Sequence, residues 1–103
     1  MAIDTVDTDA MEGNVEEAVR FLKAIGNPKR MLILCHLANC ERNVMELEHL
    51  LRIRQSSISQ ELARLRRNGM VATRRSSKHV FYRIADPKVE EVIGTLHRLF
   101  CVS

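Results

Sequence analysis

Apolar side chains recur at helical spacing along most of the chain, and breaks between the apolar stripes divide it into short elements. The first stripe consists of Ala18, Phe21, Leu22 and Ile25. Gly26-Asn27 is expected to end that helix, and Pro28 suits the first turn of the next, where its missing N–H would be unpaired anyway. Residues 31–35 are apolar on nearly every side, which predicts a second helix buried at the centre of the core.

Two more helices are predicted between residues 43 and 67. Asn43 with Glu46 three positions later resembles a capping box, which opens a short third helix. A short turn follows, and Asn68-Gly69 is expected to stop the fourth helix with a left-handed C-terminal cap. The buried side of the fourth helix is predicted to carry Ile58, Leu62 and Leu65.

The pattern then changes to a period of two, which is typical of β-strands. Residues 70–75 and 79–84 predict two strands joined by a polar turn at 76–78. Asp86-Pro87 is expected to cap a last helix. We therefore predict a mostly helical fold with one β-hairpin between the fourth and fifth helices, which is the order of a winged helix-turn-helix.

Charge is distributed unevenly along this fold. Residues 52–83 contain nine Arg or Lys against one Glu, a net charge of +8, whereas the whole chain carries only +3. Residues 1–17 contain six acids and no Lys or Arg. A concentrated basic face is what binding to DNA phosphates requires, although a solvated surface is the commoner explanation for a single charge run.

The polar side of the fourth helix and the tip of the hairpin supply the candidate DNA contacts. Hydroxyls and amides at the start of such a helix can enter a major groove about 12 Å wide, although Ser56 could instead cap the helix. Tyr82 is expected to pack or to bond a phosphate rather than to stack on a base. The candidates are Arg54, Gln55, Ser56, Ser57, Ser59, Gln60, Arg64, Arg67, Arg74, Arg75, Lys78 and Tyr82.

A chain of 103 residues has a modest core, so burying more surface against a second copy would stabilise it. The apolar stripes of the first and last helices are expected to meet in a symmetric homodimer. The candidate interface residues are Phe21, Val89, Val92, Ile93, Leu96 and Phe100. Residues 1–13 lack a sustained apolar period and are predicted to be an acidic mobile tail, and residues 14–103 a single DNA-binding and dimerisation domain.

Several function classes find no support in the sequence. No run of 18 apolar residues is present and the N-terminus is acidic, so we expect a cytoplasmic protein that does not contact a membrane. In that compartment the three cysteines are expected as thiols. The sequence contains no phosphate loop, nucleophile elbow or His-Glu-x-x-His motif, so an enzyme is not expected, and neither is a cofactor.

Two segments make a resemblance specific. Residues 22–30, LKAIGNPKR, and 56–71, SSISQELARLRRNGMV, resemble the ArsR family of bacterial repressors, and the similarity extends over roughly residues 15–101. This resemblance implies a homodimer that binds a palindromic double-stranded DNA operator and leaves it when an inducer arrives. Both usual metal sites of the family look absent, because residues 46–51 contain no Cys, and on the last helix Asp86 remains but Lys88, Leu99 and Val102 occupy the other ligand positions.

Cys35 and Cys101 resemble the cysteine pair of the thiol-sensing branch of that family, the BigR, SqrR and HlyU type. This implies that reactive sulfur species or oxidants bridge the two thiols through a disulfide or polysulfide. Cys40 has no counterpart in that branch. The chain departs from its relatives at Arg54, where a small cap is common, and at Glu61, which is expected to place a negative charge beside the recognition face.

Two other functions stay open on the sequence alone. One is a metal sensor of the same fold that uses Cys35, His36 and Cys40 in a non-standard site, although the four-residue gap between the cysteines is a weak signal. The other is a winged helix used only for protein contacts. Affinity for DNA that falls steeply with salt would argue against the second.

Overall fold

The computed structural model describes residues 5–101, which form five helices and one β-hairpin in the predicted order. Residues 1–4 of the predicted tail and the last two residues of the predicted domain lie outside the described range. The elements are α1 (Thr8–Ile25), α2 (Pro28–Leu37), α3 (Val44–Leu51), α4 (Gln55–Arg67), β1 (Val71–Ser76), β2 (His79–Ile84) and α5 (Pro87–Phe100).

Helix α1 begins six residues before the predicted start at Asn14, so placing residues 8–13 in the tail was wrong. The Asp7 carboxylate caps the helix by accepting a hydrogen bond of 3.1 Å from the Ala10 N–H. Met11 and Val15 extend the apolar spacing of the later turns, but both are exposed in the single chain. The signal was missed because Asp9, Glu12 and Gly13 separate the apolar residues of the first turns.

Helix α2 contributes to the centre of the core as predicted, but on one side only, because Leu32 and Cys35 are exposed. Ile33 and Leu34 are fully buried and belong to one cluster with side chains from all the other elements except β2, which packs against it through partly buried side chains. The cap is Asn27, whose side chain accepts hydrogen bonds from the N–H groups of Lys29 and Arg30. Pro28 follows at the first helical position, where no N–H is needed.

The helix-turn-helix is fixed by local backbone chemistry. The predicted capping box at Asn43 and Glu46 is confirmed, with hydrogen bonds of 2.8 and 2.9 Å. Arg52 takes a left-handed conformation (φ 56°) at the end of α3, and Gly69 does so after α4 (φ 71°). A Cβ would strain the backbone at Gly69, which explains why a glycine follows the end of α4.

The hairpin pairs β1 and β2 in antiparallel register from Val71 opposite Ile84 to Ser76 opposite His79. A further backbone pairing was not predicted: the N–H and C=O of Arg42, just before α3, exchange hydrogen bonds of 3.1 and 2.8 Å with Tyr82 of β2. The segment between α2 and α3 therefore lies along the edge of β2 that does not pair with β1. This contact links the β1–β2 hairpin, which we call the wing, to the helical core.

The single chain is elongated, with Cα extents of 48 × 33 × 21 Å and a radius of gyration of 15.3 Å. A compact chain of this length would have a radius of gyration of about 13 Å. Helix α1 contributes to this length, since 18 residues of α-helix span about 27 Å. Within residues 5–101, no helix combines the length and the apolar character needed to cross a membrane.

Candidate DNA-binding face and thiol pair

The outward face of α4 is polar and exposed along its whole length. Its inward face consists of Ile58, Leu62 and Leu65, which are all fully buried. Six of the candidate DNA contacts lie on the exposed side, namely Gln55, Ser56, Ser59, Gln60, Arg64 and Arg67. A helix held by its apolar side with amides and hydroxyls outward can place hydrogen-bonding groups in a major groove.

The start of α4 is capped from another helix. Arg54 occupies the N-cap position, and its side chain makes no capping hydrogen bond to the residues that the structure describes. The Glu48 carboxylate of α3 instead accepts a hydrogen bond of 3.2 Å from the Gln55 N–H. Ser56 therefore lies inside the helix and does not cap it, so its hydroxyl stays on the exposed face.

One flank of α4 faces α2 through two adjacent polar contacts. Lys29 Nζ donates to Ser57 Oγ at 3.0 Å, and Arg30 Nη1 donates to Glu61 Oε1 at 2.8 Å. Ser57 and Glu61 are four residues apart and therefore lie on the same side of the helix. Glu61 was expected to place a negative charge beside the recognition face, and Arg30 pairs with that charge.

Arg30 is a charged residue that is buried in the core, with 7% of its surface exposed. Besides Glu61, its guanidinium donates to the Ala24 carbonyl at 2.8 Å and to the Lys23 carbonyl at 3.4 Å. These carbonyls belong to the last turn of α1, whose final C=O groups lack partners within the helix. One side chain thus joins α1, α2 and α4.

Arg74 is held along the wing and is not available at its tip in this conformation. Its guanidinium makes hydrogen bonds of 2.7–3.3 Å with both carboxylate oxygens of Glu41, and it lies 5.1 Å from the centre of the Phe81 ring. The hydrogen bonds from Arg74 lower the pKa of Glu41, and Arg83 adds a smaller effect in the same direction. Arg75 and Lys78 are exposed near the turn.

Tyr82 differs from the other candidate contacts because it is part of the wing's attachment. Its backbone pairs with Arg42, and its side chain packs against the hydrophobic core. The alternative of packing, which the sequence left open, is therefore the one that the structure favours.

Cys35 and Cys101 lie where α2 and α5 approach each other. Both thiols are exposed and unbridged, and Cys101 directly follows the last residue of α5. Partial burial raises the pKa of the Cys35 thiol, and repulsion from the Cys101 thiolate raises it further. Cys40 is exposed in the segment between α2 and α3.

The apolar surface of α1 and α5 is only partly covered within one chain. Val89 and Ile93 were expected at a dimer interface, but both are buried in the core of the subunit, so their placement there was wrong. Phe21, Val92 and Leu96 are half-buried, and Phe100 is 79% exposed. The larger exposed apolar side chains of these two helices, most of which the sequence analysis missed, are Met11, Val15, Val19, Leu22, Leu99 and Phe100.

A cleft of about 710 Å³ separates α1 from the end of α4 and the start of α5. Its walls combine apolar side chains such as Phe21 and Val92 with the charged groups of Glu17, Lys88 and Glu91. Across the described part of the chain, no three His, Cys, Asp or Glu side chains converge in a way that could hold a metal ion.

Comparisons with known proteins agree with this architecture. The family model for "Bacterial regulatory protein, arsR family" matches residues 27–73. The transcriptional activator HlyU of Vibrio cholerae is 46% identical over 91 residues, which cover 88% of this chain and 84% of that protein. The biofilm growth-associated repressor of Agrobacterium fabrum is 41% identical over 99 residues, which cover 96% of this chain and 85% of that protein.

Solved structures show the same similarity. Reduced HlyU from Vibrio cholerae has a TM-score of 0.85 at 45% identity, with 90% of this chain and 98% of that chain covered. The transcriptional repressor BigR from Xylella fastidiosa has a TM-score of 0.89 at 35% identity, with 95% and 100% covered. The chain therefore belongs to the arsR family of bacterial regulatory proteins, which are winged-helix, DNA-binding transcription regulators and not enzymes.

Proposed function

We propose that the protein is a homodimeric cytoplasmic repressor that holds a palindromic operator while Cys35 and Cys101 are reduced. Reactive sulfur species or an oxidant would link the two thiols and release the DNA. The observation that carries this proposal is the packing of α2 against α5, which brings together the ends of two elements that hold the exposed thiols Cys35 and Cys101. The raised pKa of Cys35, to which Cys101 contributes, supports it. A reversible thiol bridge requires two accessible cysteines that can approach each other.

The proposed DNA contact uses α4 and the tip of the wing. In a dimer, two copies of α4 spaced by about 34–36 Å would enter successive major grooves on one side of the duplex. The exposed amides and hydroxyls of α4 would meet base edges, and Arg75 and Lys78 would contact phosphates or an adjacent minor groove.

The proposed dimer is supported by the apolar side chains that one chain leaves uncovered. Along α1, Met11, Val15, Val19 and Leu22 form a continuous exposed stripe, and Leu99 and Phe100 are exposed at the end of α5. Contact of these surfaces across a two-fold axis would remove both from water.

A persulfide, R–S–SH, can bridge the thiols in two balanced steps. Because burial raises the pKa of Cys35 and so lowers its thiolate fraction, we assign the first attack to Cys101, which takes the outer sulfur and releases the thiol R–SH. Cys35 then attacks the Cys101 sulfur, forms the disulfide and expels H₂S. The two thiols lose two electrons and the transferred sulfur is reduced to sulfide. A second persulfide would instead leave one sulfur inserted in the bridge.

We propose that helix α2 transmits a change at the thiols to α4 and the wing. Cys35 lies near its C-terminal end, and at its N-terminal end Arg30 holds Glu61 of α4. The carbonyl of His36, the residue after Cys35, accepts a 3.3 Å hydrogen bond from the Arg42 side chain, and the Arg42 backbone pairs with the wing. A bridge that pulls α2 towards α5 would therefore shift both DNA-binding elements.

The proposal is tested with Cys35→Ser and Cys101→Ser, with Cys40→Ser as the matched control. Binding is measured to a duplex selected from a random-sequence pool by the reduced wild-type protein, before and after sodium tetrasulfide. We expect the wild type and the Cys40 variant to lose about 5- to 150-fold in affinity, which is the usual range of allosteric coupling. The other two variants should bind equally well before and after treatment.

Mass spectrometry of the same samples identifies the bridge. A mass corresponding to a Cys35–Cys101 disulfide or trisulfide should accompany the loss of affinity. If both Ser variants still release DNA on treatment, the Cys35–Cys101 switch is excluded, whereas the assignment to a DNA-binding family is unaffected.

A further inference from the structure

Lys29 lies outside the basic segment of residues 52–83, yet the fold brings its charge to the recognition helix. Its ammonium is 3.0 Å from the Ser57 hydroxyl, in the first turn of α4. The neighbouring residue Arg30 is anchored to Glu61 and to two carbonyls of α1. The backbone that carries Lys29 is therefore held in place relative to α4.

The chemistry of the contact leaves Lys29 able to bind an anion. An ammonium group has three N–H donors, and one of them is directed at Ser57. Among residues 5–101, Ser57 is the one side chain that accepts from it, and no carboxylate forms an ion pair with it. Lys29 is exposed, so its charge is open to solvent beside the face that carries Ser56 and Ser59.

Ser57 differs from the other serines of α4 in its orientation. Ser56 and Ser59 are exposed on the outward face, whereas Ser57 is half-buried on the flank that faces α2. Its hydroxyl is occupied as an acceptor for Lys29. For Ser57 to contact a base, its side chain would have to break the hydrogen bond with Lys29 of α2 and rotate towards the outward face of α4.

We propose that Lys29 is a DNA-backbone contact of the recognition surface and that Ser57 positions it without reading a base. The inference rests on the proposed docking of α4 in the major groove. A phosphate beside the first turn of α4 would receive the remaining N–H groups of Lys29, and a dimer would make this contact twice. Such a contact adds affinity for any sequence and sets the depth of the helix in the groove.

The experiment compares Lys29→Met with Lys88→Met, which removes an exposed lysine from α5 at the same net charge. Affinity is measured over a series of salt concentrations for a selected duplex of about 30 base pairs, which accommodates two half-sites, and for a random one. Each lost phosphate contact lowers the slope of log affinity against log salt by about 0.9, so Lys29→Met in a dimer should lower it by about 2 on both duplexes. Lys88→Met should leave the slope unchanged.

Two further variants separate this inference from the docking on which it rests. Ser57→Ala should weaken binding to both duplexes by the same factor, whereas Gln60→Ala should weaken only the selected duplex. An unchanged slope in Lys29→Met, an equal decrease in Lys88→Met, or a changed base preference in Ser57→Ala would overturn the inference. If Gln60→Ala affects both duplexes equally, the docking of α4 fails as well.

Discussion

Two arginine–glutamate pairs contact the two candidate DNA-binding elements, α4 and the hairpin, and they lie in different environments. Arg30 and Glu61 join α2 to α4, where the side chains are 8% and 20% exposed. Arg74 and Glu41 join the wing to the segment before α3, where the corresponding values are 50% and 32%. The hydrogen-bond distances are almost equal, at 2.8 and 2.7 Å. The exposed fractions of the side chains, and not the hydrogen-bond distances, therefore distinguish the expected roles of the two pairs.

A buried charge must keep its partners, because water cannot replace them. Arg30 therefore fixes α4 relative to α1 and α2, and loss of its partner should destabilise the fold. An exposed pair contributes little to stability, since solvent and salt screen both charges. The Glu41–Arg74 pair is better placed to adjust the charge that the wing offers to DNA than to hold the fold together.

The largest effect is expected from Glu61→Ala, which leaves Arg30 buried without its carboxylate. Breaking a buried pair costs about 3–5 kcal/mol, and the partial exposure of Glu61 favours the lower end of that range. For a domain of this size the melting temperature should fall by about 10 °C or more. Thermal and urea denaturation of the reduced protein, at one fixed protein concentration, measures the change.

The double variant Arg30→Met with Glu61→Leu is the control. It removes both charges and keeps apolar volume, so part of the stability lost in Glu61→Ala should return, less the contribution of the hydrogen bonds from Arg30 to the Ala24 and Lys23 carbonyls. Recovery of stability without recovery of DNA binding would show that the pair positions α4 in addition to stabilising it. A loss of less than about 1 kcal/mol in Glu61→Ala, the range of exposed pairs, would remove the distinction between the two pairs.

The second effect concerns the cations of the wing. Arg75→Ala should lower the salt dependence of DNA binding by about 0.9 per protomer, because Arg75 is exposed near the turn and can contact a phosphate. Replacing Glu41 and Arg74 together by Gln removes the other pair without changing the net charge, and should leave the slope unchanged. Equal decreases in the two proteins would mean that Arg74 leaves Glu41 when DNA binds.

The sequence was sufficient to predict the order of the elements, because each boundary has its own chemical signal. The capping box at Asn43, the glycine at position 69 and the period-two strands are all local features, and all were confirmed. The start of α1 was missed because acids separate its apolar residues, and these residues do not pack in the core of the single chain. Apolar spacing alone also could not separate Val89, which is buried in the subunit, from Phe100, which is exposed.

Partners distant in sequence were the main difficulty at the DNA-binding face. Glu41 and Arg74 are 33 residues apart, and Lys29 and Ser57 are 28 residues apart. No local sequence pattern predicts such contacts. Arg74 was therefore assigned to the wing tip, and Lys29 was not considered as a DNA contact. Alternation along the strands could have shown that Arg74 and Arg75 point to opposite faces of the hairpin.

The third effect concerns the pKa of the Cys35 thiol. Burial raises the pKa of Cys35, and the Cys101 thiolate adds to it, so Cys101→Ser should lower that pKa while the effect of burial remains. At a fixed pH below the pKa, Cys35 should then react a few times faster with iodoacetamide, because only the thiolate is nucleophilic. Mass spectrometry follows the modification of Cys35, with Cys40→Ser as the control. Identical rates in all three proteins would show that the two thiols do not sense each other.

The smallest effect on stability is expected from Glu41→Gln. A carboxylate whose pKa is lowered by Arg74 stabilises the fold above its unfolded pKa and loses that contribution as pH falls through the lower folded value. Between about pH 5 and 8 the pair is therefore fully charged, and the melting temperatures of wild type and variant should differ by a constant amount close to replicate scatter.

DNA binding by the same variant should change more than its stability. Removing the carboxylate releases the Arg74 charge, so affinity and salt dependence should both rise, with an increase in slope of up to about 0.9 per protomer. Operator binding over a salt series measures this change. A lower affinity would show that Glu41 orients Arg74 for DNA, in which case the exposed pair positions its element as the buried pair does.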